Sequence, residues 1–169
     1  PTIAAIDGKV FVFTVNDNRS PSTRRRLIDV ATYDGSSWTT SGDIPGRSIT
    51  RGYWPIARTK NGTMYLFILN PVSPNSFSIY TYKNGTWSTF IEEYAYPSSE
   101  PGIEPATYHS FSLYCPDMVI DDDGNIYLGI CYDYSPQVLK IDANTKEINR
   151  IGSAIPSPGN TAGRTCRIA

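Results

Sequence analysis

The feature that most constrains this chain is a threefold internal repeat. Each copy has an apolar run, a turn containing glycine, and a second run rich in β-branched and aromatic residues. The copies span residues 3–13, 56–67 and 118–128, and their turn glycines are Gly8, Gly62 and Gly124. Apolar runs joined by a short glycine turn are typical of a β-hairpin. The sequence therefore predicts three related hairpins.

A second hairpin follows the first in each repeat. The paired runs are Leu27–Tyr33 with Ser37–Thr40, Phe77–Tyr82 with Thr86–Phe90, and Val138–Asp142 with Glu147–Ile151. In the first two repeats a tyrosine stands five residues before a tryptophan, as Tyr33 with Trp38 and Tyr82 with Trp87. Ile148 takes the tryptophan position in the third. Because the offset recurs, we expect this pair to have a structural role.

The repeats predict an all-β fold, a β-propeller built from four-stranded antiparallel blades. No segment shows sustained helical periodicity with caps. The turn glycines are 54 and 62 residues apart, and four strands in a repeat of about this length are typical of a propeller blade. We expect a single partial propeller over residues 1–169, with blades at about 1–45, 53–93 and 114–153. Residues 164–169 resemble the inner strands that open at 53–57 and 114–118, so they predict the start of a further blade.

Three blades and a leftover inner strand do not close a ring. Open sheets expose edge strands that natural proteins avoid, so further blades of the same chain, or another chain, are expected to complete the propeller. A symmetric dimer would bring one inner strand too many to each junction. The interpretation of the chain as a fragment of a longer propeller is therefore favoured.

Composition and charge exclude several classes of function. The formal net charge is -1, from 15 basic and 16 acidic residues, and the only basic run is Arg24–Arg26, so no nucleic-acid partner is predicted. No stretch approaches the roughly 18 apolar residues of a membrane helix, so no membrane span is predicted. No leader segment is recognisable. The sequons at Asn18, Asn61 and Asn84 would permit glycosylation in a secretory compartment, but two of them are also tight-turn sequences. The location is left open, with a secreted or cell-surface protein slightly favoured.

Cysteine usage and acidic clusters give no metal or cofactor site, and neither is predicted. Three cysteines are too few for a disulfide scaffold and lack zinc-ligand spacing. If the 120–126 hairpin has a three-residue loop, Cys115 and Cys131 lie opposite each other; a loop of two or four residues puts them on opposite faces. Cys166 is expected to be buried. The run 121–125 is similar to oxygen-rich calcium loops but lacks the downstream acidic ligand, so a metal-free bulged turn is favoured.

The repeats resemble those of known propeller families. The run 121–129 with 138–142 after it resembles a repeat of six- to eight-bladed propellers. The run 82–87 is similar to a degenerate Asp-box turn of sialidase-like propellers. That resemblance implies the fold and no active-site residue, since the Asp box is structural in that family.

Long loops concentrate at one end of the predicted blades. Turns within hairpins have two to four residues, whereas four connections on the opposite face are long: Val15–Arg25, Ser41–Gly52, Glu92–Leu113 and Gly152–Gly163. Long loops on a rigid scaffold are where binding and catalysis concentrate. We therefore expect the functional site on that face.

Arginines give the first candidate set. Arg51 and Arg164 stand just before inner strands, and Arg47 lies in a nearby loop. Inner strands line the channel of a propeller, so these groups could clamp a carboxylate, as sialidase-like propellers do. The alternative is that they form solvated ion pairs with Asp43, Asp117 or Glu104, or fill the channel.

Aromatic and acidic residues of the longest loop form the second set. It contains Tyr94, Tyr96, Tyr108, Phe111 and Tyr114 with Glu92, Glu93, Glu100 and Glu104, and His109 is the only histidine. Aromatic faces beside carboxylates suit sugar rings. The tyrosines could instead pack within the loop. A single histidine supports no catalytic triad, and adjacent Glu92 and Glu93 on an extended strand would point to opposite faces.

The leading hypothesis is a propeller module that binds a glycan or a small acidic ligand on the long-loop face. The candidate ligand-binding residues are Arg47, Arg51, Arg164, His109, Tyr108, Tyr114 and Glu104. One alternative is a sialidase-like glycosidase or polysaccharide lyase acting on acidic glycans. Another is a protein-interaction scaffold. Propellers support all three, so the fold does not choose between them.

Overall fold

The chain forms β-strands in a computed structural model that describes residues 1–16, 27–41, 44, 53–70, 76–95, 114–132 and 135–152. The strands are β1 (Thr2–Ile6), β2 (Lys9–Asn16), β3 (Leu27–Tyr33), β4 (Trp38–Ser41), β5 (Tyr53–Lys60), β6 (Thr63–Asn70), β7 (Ser76–Lys83), β8 (Thr86–Ala95), β9 (Tyr114–Ile120), β10 (Ile126–Tyr132), β11 (Ser135–Ile141) and β12 (Ile148–Ile151). Over the described ranges, no helix is long and apolar enough to cross a lipid bilayer.

The strands form three four-stranded sheets. Their orders are β1-β2-β3-β4, β5-β6-β7-β8 and β9-β10-β11-β12, so each strand pairs with its sequence neighbour. The registers determined for the first and third sheets, and for β5 with β6, are antiparallel. This confirms the predicted all-β class and its propeller-type sheets. The division of residues 1–169 into numbered blades of one domain stays a prediction.

The chain divides into two compact units. The first consists of Pro1–Pro71 and Phe77–Tyr94, and the second of Val72–Ser76 and Ala95–Ala169. In the first unit the innermost strands β1 and β5 are neighbours. The amide of Ala57 donates to the Thr2 hydroxyl at 3.2 Å, and the Thr59 hydroxyl donates to the Ala5 carbonyl at 3.2 Å. These bonds connect the first two sheets along their inner strands.

Aromatic and aliphatic side chains fill the space between the first two sheets. The first sheet contributes Phe11 and Phe13 from β2 and Ile28 and Val30 from β3; the second contributes Met64, Leu66, Ile68, Tyr82 and Trp87. The Trp87 ring stands edge-on to Phe11 and Phe13, with centroids 6.2 and 6.1 Å apart. Tyr82 lies 4.9 Å from Phe11 and 5.2 Å from Trp87. This aromatic cluster packs the two sheets against each other.

Two-residue turns close three of the hairpins. Asp7-Gly8, Asn61-Gly62 and Asn84-Gly85 all have positive φ at both positions, between 48° and 79°. Two successive left-handed residues make the type I′ turn that matches the twist of a hairpin, and asparagine, aspartate and glycine adopt it with least strain. Asn61 and Asn84, noted above as sequons, therefore have a turn role in the fold.

The third repeat closes its first hairpin differently from expectation. Residues 121–125 form the loop, since Ile120 pairs with Ile126. Five residues keep the parity that would set Cys115 opposite Cys131, but the register shifts between Gly129 and Cys131, and Cys131 pairs with Tyr114 instead. From the sequence, the pairing of the two cysteines was left dependent on the loop length; the loop has five residues, and Cys131 pairs with Tyr114 rather than with Cys115.

Proline explains this shift. β5 shows the same irregularity between Tyr53 and Ile56, and both inner strands carry the sequence Tyr-x-Pro there, with Pro55 and Pro116. Proline has no N–H to donate to the ladder, so within a sheet it is confined to edges and bulges. One extra residue in each inner strand forms a β-bulge. The bulge bends the strand close to its first paired residue.

Candidate functional site

The predicted ligand-binding residues fall almost wholly outside the described residues. This applies to Arg47, Arg51, Glu104, Tyr108, His109 and Arg164, whose roles stay predictions. Tyr114 begins β9, where its backbone pairs with Cys131. The site is therefore built from the strand ends that carry the long connections.

One end of the sheets carries connections of two to six residues, and the other end carries connections of two to 18 residues, the longest of the chain among them. The turns 7–8, 34–37, 61–62, 84–85, 121–125 and 142–147 all follow the first or third strand of a sheet. The opposite end carries the connections 17–26, 42–52, 71–75, 96–113 and 133–134. We call the latter the long-connection end. Strand alternation in antiparallel sheets fixes this division, so all loop-borne candidates attach at the same end of their own sheet.

The proline bulges lie at the long-connection end of β5 and β9. Tyr53 and Tyr114 are the first residues of these strands, directly after the connections that carry Arg51 and His109. A bulge changes the direction in which neighbouring side chains point, and bulges are over-represented beside active sites. Each of these two inner strands therefore begins with a bulge, directly after a connection that carries predicted ligand-binding residues.

Asp117 is a carboxylate that the sequence analysis considered only as an ion-pair partner. It follows Pro116 on the inner strand β9 and is half-buried, and its Oδ1 accepts a hydrogen bond from the Met118 amide at 2.9 Å. The sequence signal that could have identified Asp117 is the Tyr-x-Pro motif, which occurs at 53–55 and again at 114–116. It marks where an inner strand begins, and Asp117 is the first side chain after it in the third sheet.

Tyr94 packs against the second sheet. Its ring lies 5.2 Å from Phe77, which lies 5.4 Å from Phe67. Of the aromatic residues considered for sugar stacking, Tyr94 therefore matches the alternative of packing, at the point where the 96–113 connection leaves β8.

The Glu92–Glu93 pair does not have the regular geometry assumed from sequence. Glu93 has φ of 43°, and its amide donates to the buried Ser78 hydroxyl at 3.2 Å. Both glutamates are exposed. Because positive φ interrupts the extended backbone, the simple alternation that would separate the two carboxylates does not hold here.

Carboxylates at the opposite end of the sheets stabilise turns. Asp121 accepts hydrogen bonds from the amide and side chain of Asn125 at 2.8 and 2.9 Å and from the Tyr127 hydroxyl at 3.2 Å. These donors, led by the Asn125 side chain, lower the pKa of Asp121. Within the described ranges, no group of three or more His, Cys, Asp or Glu side chains is arranged to hold a metal ion.

Asp34 and Asp142 stabilise the β3–β4 and β11–β12 turns in the same way. Oδ1 of Asp142 accepts from the Asn144 and Thr145 amides at 2.8 Å each, and these bonds, Thr145 first, lower its pKa. Oδ1 of Asp34 accepts from the Ser37 and Ser36 amides at 2.9 Å and from the Ser36 hydroxyl at 2.8 Å. Local polar contacts thus stabilise the end of the sheets opposite the long-connection end, which we call the short-turn end.

These contacts predict an acid titration of the first sheet. Hydrogen bonds from Ser37 and Ser36 lower the pKa of Asp34 from 3.8 to about 2. The carboxylate form is favoured in the folded state, so its stabilisation is present above pH 3.8 and is lost as the pH falls through about 2. A carbon-detected NMR titration of the Asp34 carboxyl should show the low midpoint, and Ser36→Ala should move it upward. An unshifted midpoint in the unsubstituted protein would contradict this account.

No protein-family model and no curated protein sequence matches the chain. The Asp-box resemblance therefore receives no support. The comparisons that succeed are with solved structures named as carbohydrate-active enzymes, among them arabinanases, galactanases and a family 117 glycoside hydrolase.

Three of these structures illustrate the similarity. The native Bacillus subtilis arabinanase has a TM-score of 0.54 at 15% identity, with 92% of this chain and 55% of that chain covered. The α-L-arabinofuranosidase of Clostridium thermocellum has a TM-score of 0.57 at 19% identity, covering 92% and 54%. A family 117 glycoside hydrolase of Zobellia galactanivorans has a TM-score of 0.54 at 14% identity, covering 88% and 53%. The chain spans about half the length of these structures, and at such identities the similarity establishes the β-propeller fold.

Proposed function

We propose that this chain is part of a β-propeller protein that binds carbohydrate at the long-connection end of its sheets. The observation that carries the proposal is the asymmetry of the sheets. Short turns held by Asp34, Asp121 and Asp142 leave little variable surface at one end. Connections of up to 18 residues, spanning 96–113, leave from the other end. Binding residues are most often placed on such loops by a rigid scaffold.

The names of the similar structures motivate carbohydrate as the ligand. They include an arabinanase, an α-L-arabinofuranosidase and exo-β-1,3-galactanases, one with bound β-1,3-galactotriose. A protein acting on such polymers would work in a secreted or cell-surface location, as the sequence analysis favoured. Polymer sugars present both apolar ring faces and hydroxyls, which matches the tyrosines and carboxylates of the 96–113 connection.

In the proposed site, Tyr108 and Tyr114 stack on sugar rings, while Glu104 and His109 bond hydroxyl groups. Arg47, Arg51 and Arg164 bind a sugar carboxylate when the ligand is acidic. Guanidinium groups pair with carboxylates through two parallel hydrogen bonds, which gives both strength and direction.

Calorimetric titration with arabino-, galacto- and uronate-containing oligosaccharides tests the proposal. We expect binding of at least one class. If an acidic saccharide binds, Arg51→Ala with Arg164→Ala should weaken it by at least about tenfold, equivalent to about 1.4 kcal/mol, and leave neutral saccharides unaffected. Lys83→Ala, at the short-turn end, is the matched control and should change nothing. A panel without binding would refute the carbohydrate proposal, and an unchanged double variant would refute the arginine clamp.

A glycosidase is the second candidate, because the similar structures are glycoside hydrolases. The chemistry requires two carboxyl groups about 5 to 9.5 Å apart. The carboxylates to test are Asp117, beside the β9 bulge, and Glu104, in the 96–113 connection that precedes β9. Release of reducing sugar from arabinan or β-1,3-galactan that disappears in both Asp117→Asn and Glu104→Gln, with saccharide binding retained, would favour the enzyme. Binding without turnover would favour the non-catalytic module.

A further inference from the structure

One face of the first sheet is apolar and is left partly to fully exposed by the part of the chain that the structure describes. The registers set Ile3 opposite Val12 and place Val10, Tyr33 and Trp38 in one row across the sheet. Ile3 is 65% exposed and Trp38 56% exposed. The opposite face, with Phe11 and Phe13, is buried against the second sheet. We call the exposed side, made of Ile3, Val10, Val12, Tyr33 and Trp38, the Trp38 face.

The second sheet shows what covers the equivalent face. Tyr82 and Trp87 repeat the Tyr33–Trp38 pair at the same sequence offset, and the ring centroids are 5.2 Å apart in both pairs. In the second sheet this pair lies on Phe11 and Phe13, two aromatic residues at alternate positions of β2. The covering element is thus the preceding four-stranded sheet.

The third sheet buries the equivalent face as well. The row corresponding to Val10, Tyr33 and Trp38 is Ile126, Ile141 and Ile148, as the paired registers show. Ile126 and Ile141 are fully buried, and so is Leu128 at the position of Val12. The equivalent face is therefore buried in the second and third sheets, and it is exposed only in the first of the three described sheets.

We propose that the Trp38 face is the docking surface for another four-stranded antiparallel blade. The second strand of that blade would present two aromatic side chains at alternate positions, and Tyr33 and Trp38 would lie on them as Tyr82 and Trp87 lie on Phe11 and Phe13. Burial of a tryptophan and its tyrosine neighbour against aromatic rings is a large stabilising contribution. This chain covers about half of the length of the similar structures, 55% for the arabinanase, so those structures are long enough to contain further blades.

A second copy of residues 1–169 fits this surface less well. The Phe11–Phe13 face of one copy is already occupied by its own second sheet. The exposed face of the third sheet carries Val119 and Ile151, but at the positions of Phe11 and Phe13 it has Tyr127 and Gly129. It therefore lacks the aromatic pair. The proposed occupant is a blade of different sequence.

Hydroxyl-radical footprinting of the protein expressed from its complete coding sequence tests whether the face is covered. We expect Trp38 to be oxidised as slowly as Trp87. Oxidation of Trp38 at the rate of an unfolded peptide, with Trp87 protected, would overturn the proposal.

A photo-cross-linking amino acid at position 40 identifies the occupant. Thr40 is exposed and pairs with Ala31 on the Trp38 face, whereas the adjacent Thr39 pairs with Thr32 on the other face and serves as the control. From position 40 we expect a cross-linked peptide from outside residues 1–169 that carries two aromatic residues at alternate positions of a strand. This peptide should be absent from the position 39 product. A cross-link to residues 1–169 of a second copy, or none at all, would overturn the proposal.

Discussion

Replacing Trp87 with alanine is expected to lower the free energy of unfolding of the 169-residue chain by about 2–4 kcal/mol, somewhat less than for a fully buried aromatic residue. Trp87 contacts Phe11, Phe13 and Tyr82, so truncation leaves a gap between the first two sheets. Its indole is partly buried, which places the cost toward the lower end of the range for buried aromatics. Urea unfolding followed by far-ultraviolet circular dichroism measures the change.

Trp38→Ala is the matched control, because it removes the same side chain from the same position of the repeat. In this chain Trp38 is 56% exposed, and its ring lies 5.2 Å from that of Tyr33. We expect a loss below about 1 kcal/mol, as for other surface substitutions. Equal losses in the two variants would contradict the packing of Trp87 between the sheets.

Replacing Phe77 with alanine is expected to cost about 3–5 kcal/mol, the range for buried aromatic residues. Phe77 is fully buried on β7, between Phe67 and Tyr94. The neighbouring strands are fixed by their hydrogen bonds and cannot close over the space that the ring leaves. The same unfolding measurement applies.

Phe90→Ala provides the comparison for Phe77. Phe90 is half-buried on the adjacent strand β8, with its ring 5.6 Å from Tyr65. A smaller loss of about 1–2 kcal/mol is expected, in the usual range for partly buried sites. If Phe90→Ala destabilised the chain more than Phe77→Ala, the assignment of Phe77 to the core of the second sheet would be wrong.

The strands could be predicted because their signals are local. Asn61-Gly62 and Asn84-Gly85 determine tight turns through backbone preferences that need no tertiary context. The alternating apolar runs around them then define the strands. The register of β9 could not be predicted, because it depends on a bulge at Pro116 that adds one residue without changing the apolar pattern.

Burial of the repeated tryptophans could not be deduced from their spacing. Trp38 and Trp87 have identical offsets from their tyrosines, yet one is exposed and the other packs on Phe11 and Phe13. The difference comes from which sheet lies in front of each. Sequence periodicity describes a single sheet and contains no information about its neighbour.

The candidate site was the least predictable part. Arg51 and His109 belong to long connections, and Arg164 begins the segment predicted to open a further blade. All three lie outside the described residues, so their roles stay predictions. Local turn chemistry does not determine the conformation of long loops in general. Where strand ends are described, the geometry differs from a regular strand. Positive φ at Glu93 and the bulge before Asp117 both alter side-chain directions that simple alternation would assign.

An amide NMR titration with an arabino- or galacto-oligosaccharide tests the central claim most directly. If carbohydrate binds at the long-connection end, the shifts will centre on amides there, such as Tyr53 and Tyr114 at the starts of β5 and β9. The turn amides of Gly8, Gly62 and Gly85 at the opposite end will not move. Shifts confined to those turns, or no shifts with any saccharide at saturating concentration, would contradict the claim.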